Sequence, residues 1–205
     1  MKDAEETIPK QEVGRATDFS EERVFGTQAE AHEAFKKTAA RLLTVSEWHN
    51  YARAGSSRFC MTNNAGDEVI GFAKEGFLFN INLPVPGSDA GDCLEWVMIE
   101  RIDVGGDAQD AEEYVSLTAR PVPNLKKTDT EIAHFYKDAS TSTFIVKRVG
   151  ETVSAAIYGR NETPNNEQVD FHDKVRNTLV ALTARIGLAG PQWKKLAKRL
   201  LDIKV

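Results

Sequence analysis

The stretch of this chain richest in groups able to do chemistry is Gly159-Arg160-Asn161-Glu162, which closes a run of apolar and β-branched residues. A guanidinium at a strand end can grip a carboxylate or phosphate through two parallel hydrogen bonds, and a glutamate beside it can give or take a proton. In an extended segment Arg160 and Glu162 fall on one side, so the same residues would equally serve as an ion pair that pins neighbouring elements. His134 and Asp138 stand four residues apart, the spacing of a histidine oriented by a carboxylate on one helix face. A packed core histidine carries the same signature, so neither reading is excluded by sequence. Lys194, Lys195, Lys198 and Arg199, with Lys204 beyond, form a basic patch that suits an anionic membrane or nucleic acid. Opposite them Trp193, Leu196, Ala197, Leu200 and Leu201 make an apolar stripe, which calls for docking on the protein's own sheet.

The familiar catalytic patterns are missing. There is no Gly-x-Gly-x-x-Gly, no nucleophile elbow, no Cys-x-x-Cys and no His-Glu-x-x-His. Gly66 and Gly71 have the spacing of a phosphate loop, but Phe72-Ala73 replaces its lysine and hydroxyl residue. His32, His49, His134 and His172 are too scattered to nucleate a metal site, so neither a metal nor a cofactor is expected. Asn161-Glu162-Thr163 matches a glycosylation sequon, but the first residues, Met1-Lys2-Asp3-Ala4-Glu5-Glu6, lack the apolar stretch of a secretory signal. No run approaches the roughly 18 apolar residues of a membrane helix. A cytoplasmic location is therefore expected, with Cys60 and Cys93 as free thiols. The net charge of −5 weighs against a broad nucleic-acid surface.

The elements that must position these residues follow from spacing. Residues 1–26 are polar and mixed in charge, and read as a flexible N-terminal tail ahead of one α+β domain over 27–205. Helices are expected over 27–55. Thr27-Gln28-Ala29-Glu30 supplies a capping box, and Ala31, Phe35, Ala39 and Leu42 make one apolar face. Trp48 and Tyr51 fall on a second, shorter helix. From 58 to 160 the chain is β-rich, with strands at Arg58–Thr62, Phe77–Leu83, Glu95–Asp103, Glu113–Arg120, Ser142–Val149 and Thr152–Gly159. A register shift falls within the third of these, before Ile102. Asn63-Asn64-Ala65-Gly66-Asp67 and Gly150-Glu151 are the turns. A short helix with Ile132, His134 and Phe135 interrupts the strands, and helices are expected over 165–203. Connections this short require antiparallel pairing.

Several phrases together carry a resemblance over residues 28–205: Phe77-Leu78-Phe79-Asn80-Ile81-Asn82 running into Pro84-Val85-Pro86-Gly87, Asp92-Cys93-Leu94-Glu95-Trp96-Val97, Arg120-Pro121-Val122-Pro123-Asn124, Ala133-His134-Phe135 with Ser142-Thr143-Phe144-Ile145-Val146, Gly159-Arg160-Asn161-Glu162, and Pro191-Gln192-Trp193-Lys194. The chain resembles a group of uncharacterised conserved bacterial proteins with no assigned activity. The resemblance implies a bacterial cytosolic protein and transfers no catalytic residue.

The expected fold is α+β: a small antiparallel β-barrel or bent sheet, SH3-like or OB-like, flanked by N-terminal and C-terminal helices. The expected function is a non-catalytic binding or scaffold module acting on another protein. The alternative is an enzyme or small-molecule binder with a site at the sheet rim built from His134, Asp138, Arg160 and Glu162. A third reading has the basic terminal helix bind nucleic acid or a membrane surface.

Overall fold

The computed structural model describes residues 3–52, 58–82, 94–124, 132, 136–164 and 191–204. Seven strands form a single antiparallel sheet: β1 (Arg15–Val24), β2 (Arg58–Thr62), β3 (Leu78–Asn82), β4 (Glu95–Gly105), β5 (Glu112–Pro121), β6 (Thr141–Val149) and β7 (Thr152–Glu162). The helices are α1 (Gln28–Leu43), α2 (Trp48–Ala52) and α3, over residues 191–200. The sheet order is β1-β7-β6-β5-β4-β3-β2. The expectation of α+β therefore holds, but the small closed barrel does not. Among the described strands the first pairs only with β7 and the second only with β3, apart from a bridge from Thr62 to Glu68, so the sheet stays open with β1 and β2 at its edges.

The first strand lies inside the stretch read as a tail. Thr17 to Val24 pair with Gly159 to Thr152. Its sequence, Arg-Ala-Thr-Asp-Phe-Ser-Glu-Glu-Arg-Val, has little apolar alternation because an edge strand is held mainly through backbone hydrogen bonds and guards its free edge with charge. Before it, a 3-10 turn at Ala4–Thr7 and Ile8 cover Tyr114, Ile145 and Tyr158 on one sheet face.

The main core lies on the other face. Alternating residues of β2–β7, among them Phe79, Ile81, Val97, Leu117, Phe144 and Ile157, meet Phe35 and Leu42 of α1, Trp48 of α2, and Leu196 and Leu200 of α3. The Thr27 hydroxyl accepts from Glu30 N (3.2 Å), while Glu30 Oε2 reaches back to Gly26 N (3.0 Å), one residue beyond the expected capping-box partner. Trp48 is fully buried and its indole N–H donates to Leu42 O (3.0 Å), so a large ring closes the end of α1 with its polar atom satisfied. The register shift expected in β4 falls between Ile99 and Arg101.

Helix α3 is docked, as its apolar stripe requires. Leu196, Ala197, Leu200 and Leu201 are buried. Arg41 of α1 donates to Arg199 O (3.1 Å) and Asp202 O (2.8 Å), and Arg23 of β1 to Ile203 O (2.8 Å). Arg41 thus satisfies a carbonyl that the helix C-terminus leaves open, and with Arg23 it pins the residues that follow. Lys194, Lys195 and Lys198 are exposed, and Arg199 pairs with Asp202 (2.8 Å). No described helix is long and apolar enough to cross a membrane.

The two ends of the sheet differ in chemistry. At one end Arg148 is buried against the carboxylate of Glu113, which also meets His32 Nδ1 (2.7 Å). The same guanidinium donates to Asp107 O (3.1 Å), Asp110 O (3.0 Å) and Gly150 O (3.2 Å). One cation therefore ties both hairpin turns and α1 together. The opposite end carries the carboxyl and hydroxyl groups described next.

Candidate functional site

At its rim end β7 lies between the starts of β1 and β6. Gly159 faces the helix-bearing side there, and its missing side chain matters. A Cβ at this position would stand 2.2 Å from Glu162 Oε1 and 2.4 Å from Thr17 Oγ1. Glycine inside a strand marks a close approach, and here what approaches is a carboxyl group folded back over the strand. Asn161 has φ of 55°, the only positive φ outside glycine among the described residues. That left-handed turn breaks the alternation of the strand and swings Glu162 onto the Gly159 side.

The Thr17 hydroxyl donates to Glu162 Oε1 (2.9 Å), and the Tyr136 phenol lies beside the same carboxyl. Glu162 is 9% exposed, and its Oε2 has no hydrogen-bond partner among the described residues. Burial raises the Glu162 pKa above the ordinary carboxylate range, opposed by the Thr17 bond, the nearby Arg15, Tyr136 and Arg160. Tyr136 is pushed far up, first by burial and then by the Glu162 charge, so it stays a phenol and a hydrogen-bond donor.

Tyr136 also borders a cavity of about 30 Å³ between the sheet and α3. Its apolar walls are Phe79, Ile81, Val97, Ala119, Phe144 and Trp193, and Ser140, Thr141 and Ser142 line its rim. Trp193 closes it from the helix side, edge-on to Phe144 at 5.3 Å between centroids. The Ser140 hydroxyl is committed to Asn161 O (2.9 Å). The Ser142 side chain points into the cavity, since Ser142 pairs with Ala119 and Gly159 on the helix-bearing face, whereas Thr141 pairs with Arg160 and its buried hydroxyl lies on the opposite face.

Of the three expected rim-site residues that are described, only Glu162 stands in it. Arg160 lies on the opposite sheet face, over the Tyr158 ring at 5.5 Å, paired with Asp18 and donating to Gly159 O (2.7 Å). It is a pin between β7 and β1. The expected Arg160–Glu162 alignment fails because Asn161 interrupts the extended geometry. Asp138 is exposed. His134 falls outside the described residues. Thr17 and Tyr136 were not legible as site residues, the first lying in an apparently unstructured polar stretch and the second separated from Glu162 by 26 positions of sequence. Gly159 was the available signal.

One group of carboxylates among the described residues is close enough to hold a cation: Asp3, Glu5 and Glu112. Lys147 Nζ already stands against Glu5 (2.5 Å) and 3.8 Å from Glu112, which supplies the positive charge there.

No protein-family profile matches the chain, and no curated protein matches it. Solved structures with some likeness include major latex-like protein 151 from Panax ginseng, 14% identical, TM-score 0.35, covering 86% of this chain and 99% of that one. A truncated norcoclaurine synthase from Thalictrum flavum is 10% identical, TM-score 0.37, covering 96% and 100%. A Staphylococcus epidermidis protein solved by NMR is 12% identical, TM-score 0.36, covering 96% and 98%. Scores this low carry no argument about this chain.

Proposed function

We propose that the chain binds a compact, largely apolar small molecule carrying one hydroxyl group, in the cavity between the sheet and α3. The observation that supports this reading is a cavity whose apolar walls carry the Ser142 side chain and the Tyr136 phenol at the rim. Ligand sites are mostly apolar with a few placed polar groups. At about 30 Å³ the cavity holds one or two waters, so a larger guest requires the half-buried Trp193 to swing outward from Phe144. The guest's ring would take the place of the Trp193 edge, and its hydroxyl would meet Ser142 Oγ, with the Tyr136 oxygen as an acceptor.

The test is an NMR titration of the labelled protein with phenol and, separately, benzene. The expected result is shifts confined to Ala119, Ser142, Phe144 and Trp193. Ser142→Ala should weaken phenol by up to about tenfold, the size of one net hydrogen bond, and leave benzene unchanged. Shifts spread over the surface, or equal losses for both probes, would refute it.

A second reading, contact with another protein, has one observation in its favour: Ile70 and Phe72 on the β2–β3 connection are 92% and 57% exposed. In that case Ile70→Ser with Phe72→Ser would abolish partner capture and leave the phenol titration untouched.

A further inference from the structure

The Glu162 carboxyl is where it is because of residues far away in sequence, at the start of the chain. Asn161 Oδ1 accepts from Glu12 N (2.7 Å) and Val13 N (3.1 Å), and its Nδ2 donates to Lys10 O (3.0 Å). Asn161 N donates to Gln11 Oε1 (2.9 Å), and Gln11 Nε2 donates onward to Val13 O (2.7 Å) and Gly14 O (3.2 Å). At Gly14, with φ of 66°, a Cβ would stand 2.6 Å from Glu162 O. Residues 10–14 therefore clasp the one non-glycine residue that turns left-handed among those described. Left-handed backbone costs an ordinary residue roughly 1–2 kcal/mol, and asparagine least among the non-glycines. The clasp offsets that cost with four hydrogen bonds to a single residue.

We propose that Asn161 is a positioning residue for the site carboxyl, and that the N-terminal segment Lys10–Gly14 is the clasp that keeps it turned. Release of the clasp lets Asn161 return to extended backbone. Alternation then resumes, and Glu162 leaves Gly159, Thr17 and Tyr136. The chain's first residues thereby control whether the acidic end of the site is assembled. This inference rests on reading the Glu162 end of the cavity as part of the ligand site, but its test does not require a ligand.

The experiment uses the full chain with ¹³C-labelled glutamate side chains, titrated by NMR alongside a thermal melt. The charged and titratable groups acting on Glu162 are Arg15, Tyr136 and, from the opposite sheet face, Arg160, and none is altered. Glycine tolerates the left-handed turn, so Asn161→Gly removes the side-chain clasp without adding strain. In Asn161→Gly the Glu162 midpoint should fall toward the ordinary glutamate range as the carboxyl becomes hydrated. Asn161→Asp keeps the oxygen that accepts from Glu12 and Val13 and should retain most of the native midpoint. Gln11→Ala, a milder loss, should move it in the same direction as Asn161→Gly and by less. A lowered melting temperature with an unmoved Glu162 midpoint in Asn161→Gly and Gln11→Ala would reduce the clasp to a structural tie and overturn the proposal. A silent phenol titration beside a shifted Glu162 midpoint would remove the ligand reading and leave this one standing.

Discussion

Replacing Gly159 by alanine forces a choice on the site. The new Cβ would lie 2.2 Å from Glu162 Oε1, 2.8 Å from its Cδ and 2.4 Å from Thr17 Oγ1, where ordinary contact begins at 3.4 Å. All three are side-chain atoms, and Gly159 is not among the residues at positive φ, so the strand itself can stay in place. The carboxyl must leave. Its departure breaks the Thr17 hydrogen bond, worth about 0.5–1.5 kcal/mol, and overpacking adds about 1–3 kcal/mol. Reduced freedom of the unfolded chain offsets about 0.4–1 kcal/mol. The net loss expected is about 1–3 kcal/mol. In a Glu162→Ala background the largest obstruction is gone, and the half-exposed Thr17 hydroxyl can rotate aside. The same substitution should then cost about 1–2 kcal/mol less, a coupling typical of residues in contact. Urea unfolding of the four proteins, followed by circular dichroism, reads both numbers. Equal costs in the two backgrounds would mean that the carboxyl does not lie on Gly159.

Two further outcomes follow from buried charge. Burial holds the Glu162 pKa above its unfolded value, so the folded state binds the proton more tightly, and stability is lost as pH rises from the ordinary glutamate range through the raised midpoint. Glu162→Gln should therefore gain on the wild type at pH 7 relative to pH 4 in urea midpoints, and a difference independent of pH would contradict it. Arg148→Met leaves Glu113 buried with only His32 as partner and should cost about 3–5 kcal/mol in the same assay. Adding Glu113→Leu should recover part of that loss, because an unpaired buried charge is worse than none. No recovery would show that the carbonyl contacts of Arg148, and not the ion pair, dominate.

What was legible in the sequence follows from where burial leaves a mark. Phe79 and Ile81, Val97 and Ile99, and Phe144 and Val146 alternate because one face of each strand meets the helices, so β2–β7 could be read from period alone. The first strand could not. Phe19 is its only large apolar residue away from its ends, and its pairing with β7 uses the backbone. Without it the sheet edges were unknown, and closure into a barrel was a natural inference from six short strands. With β1 beside β7 and β2 beside β3, the first two strands become the two open edges. The site was half legible. Gly159-Arg160-Asn161-Glu162 holds the carboxyl that folds back over the strand, and glycine in a strand marks such a close approach. The expected common side for Arg160 and Glu162 fails because residues 10–13 hold Asn161 at φ 55°, which turns Glu162 onto the other face. Nothing local in sequence reports a partner about 150 positions away.

The most direct test is an isotope-filtered NOE experiment on the protein with phenol present. The account predicts cross-peaks from the phenol ring to Phe144, Ala119 and the Trp193 indole. Cross-peaks only to Ile70 and Phe72, or none at concentrations that saturate the titration, would contradict a ligand site between the sheet and α3.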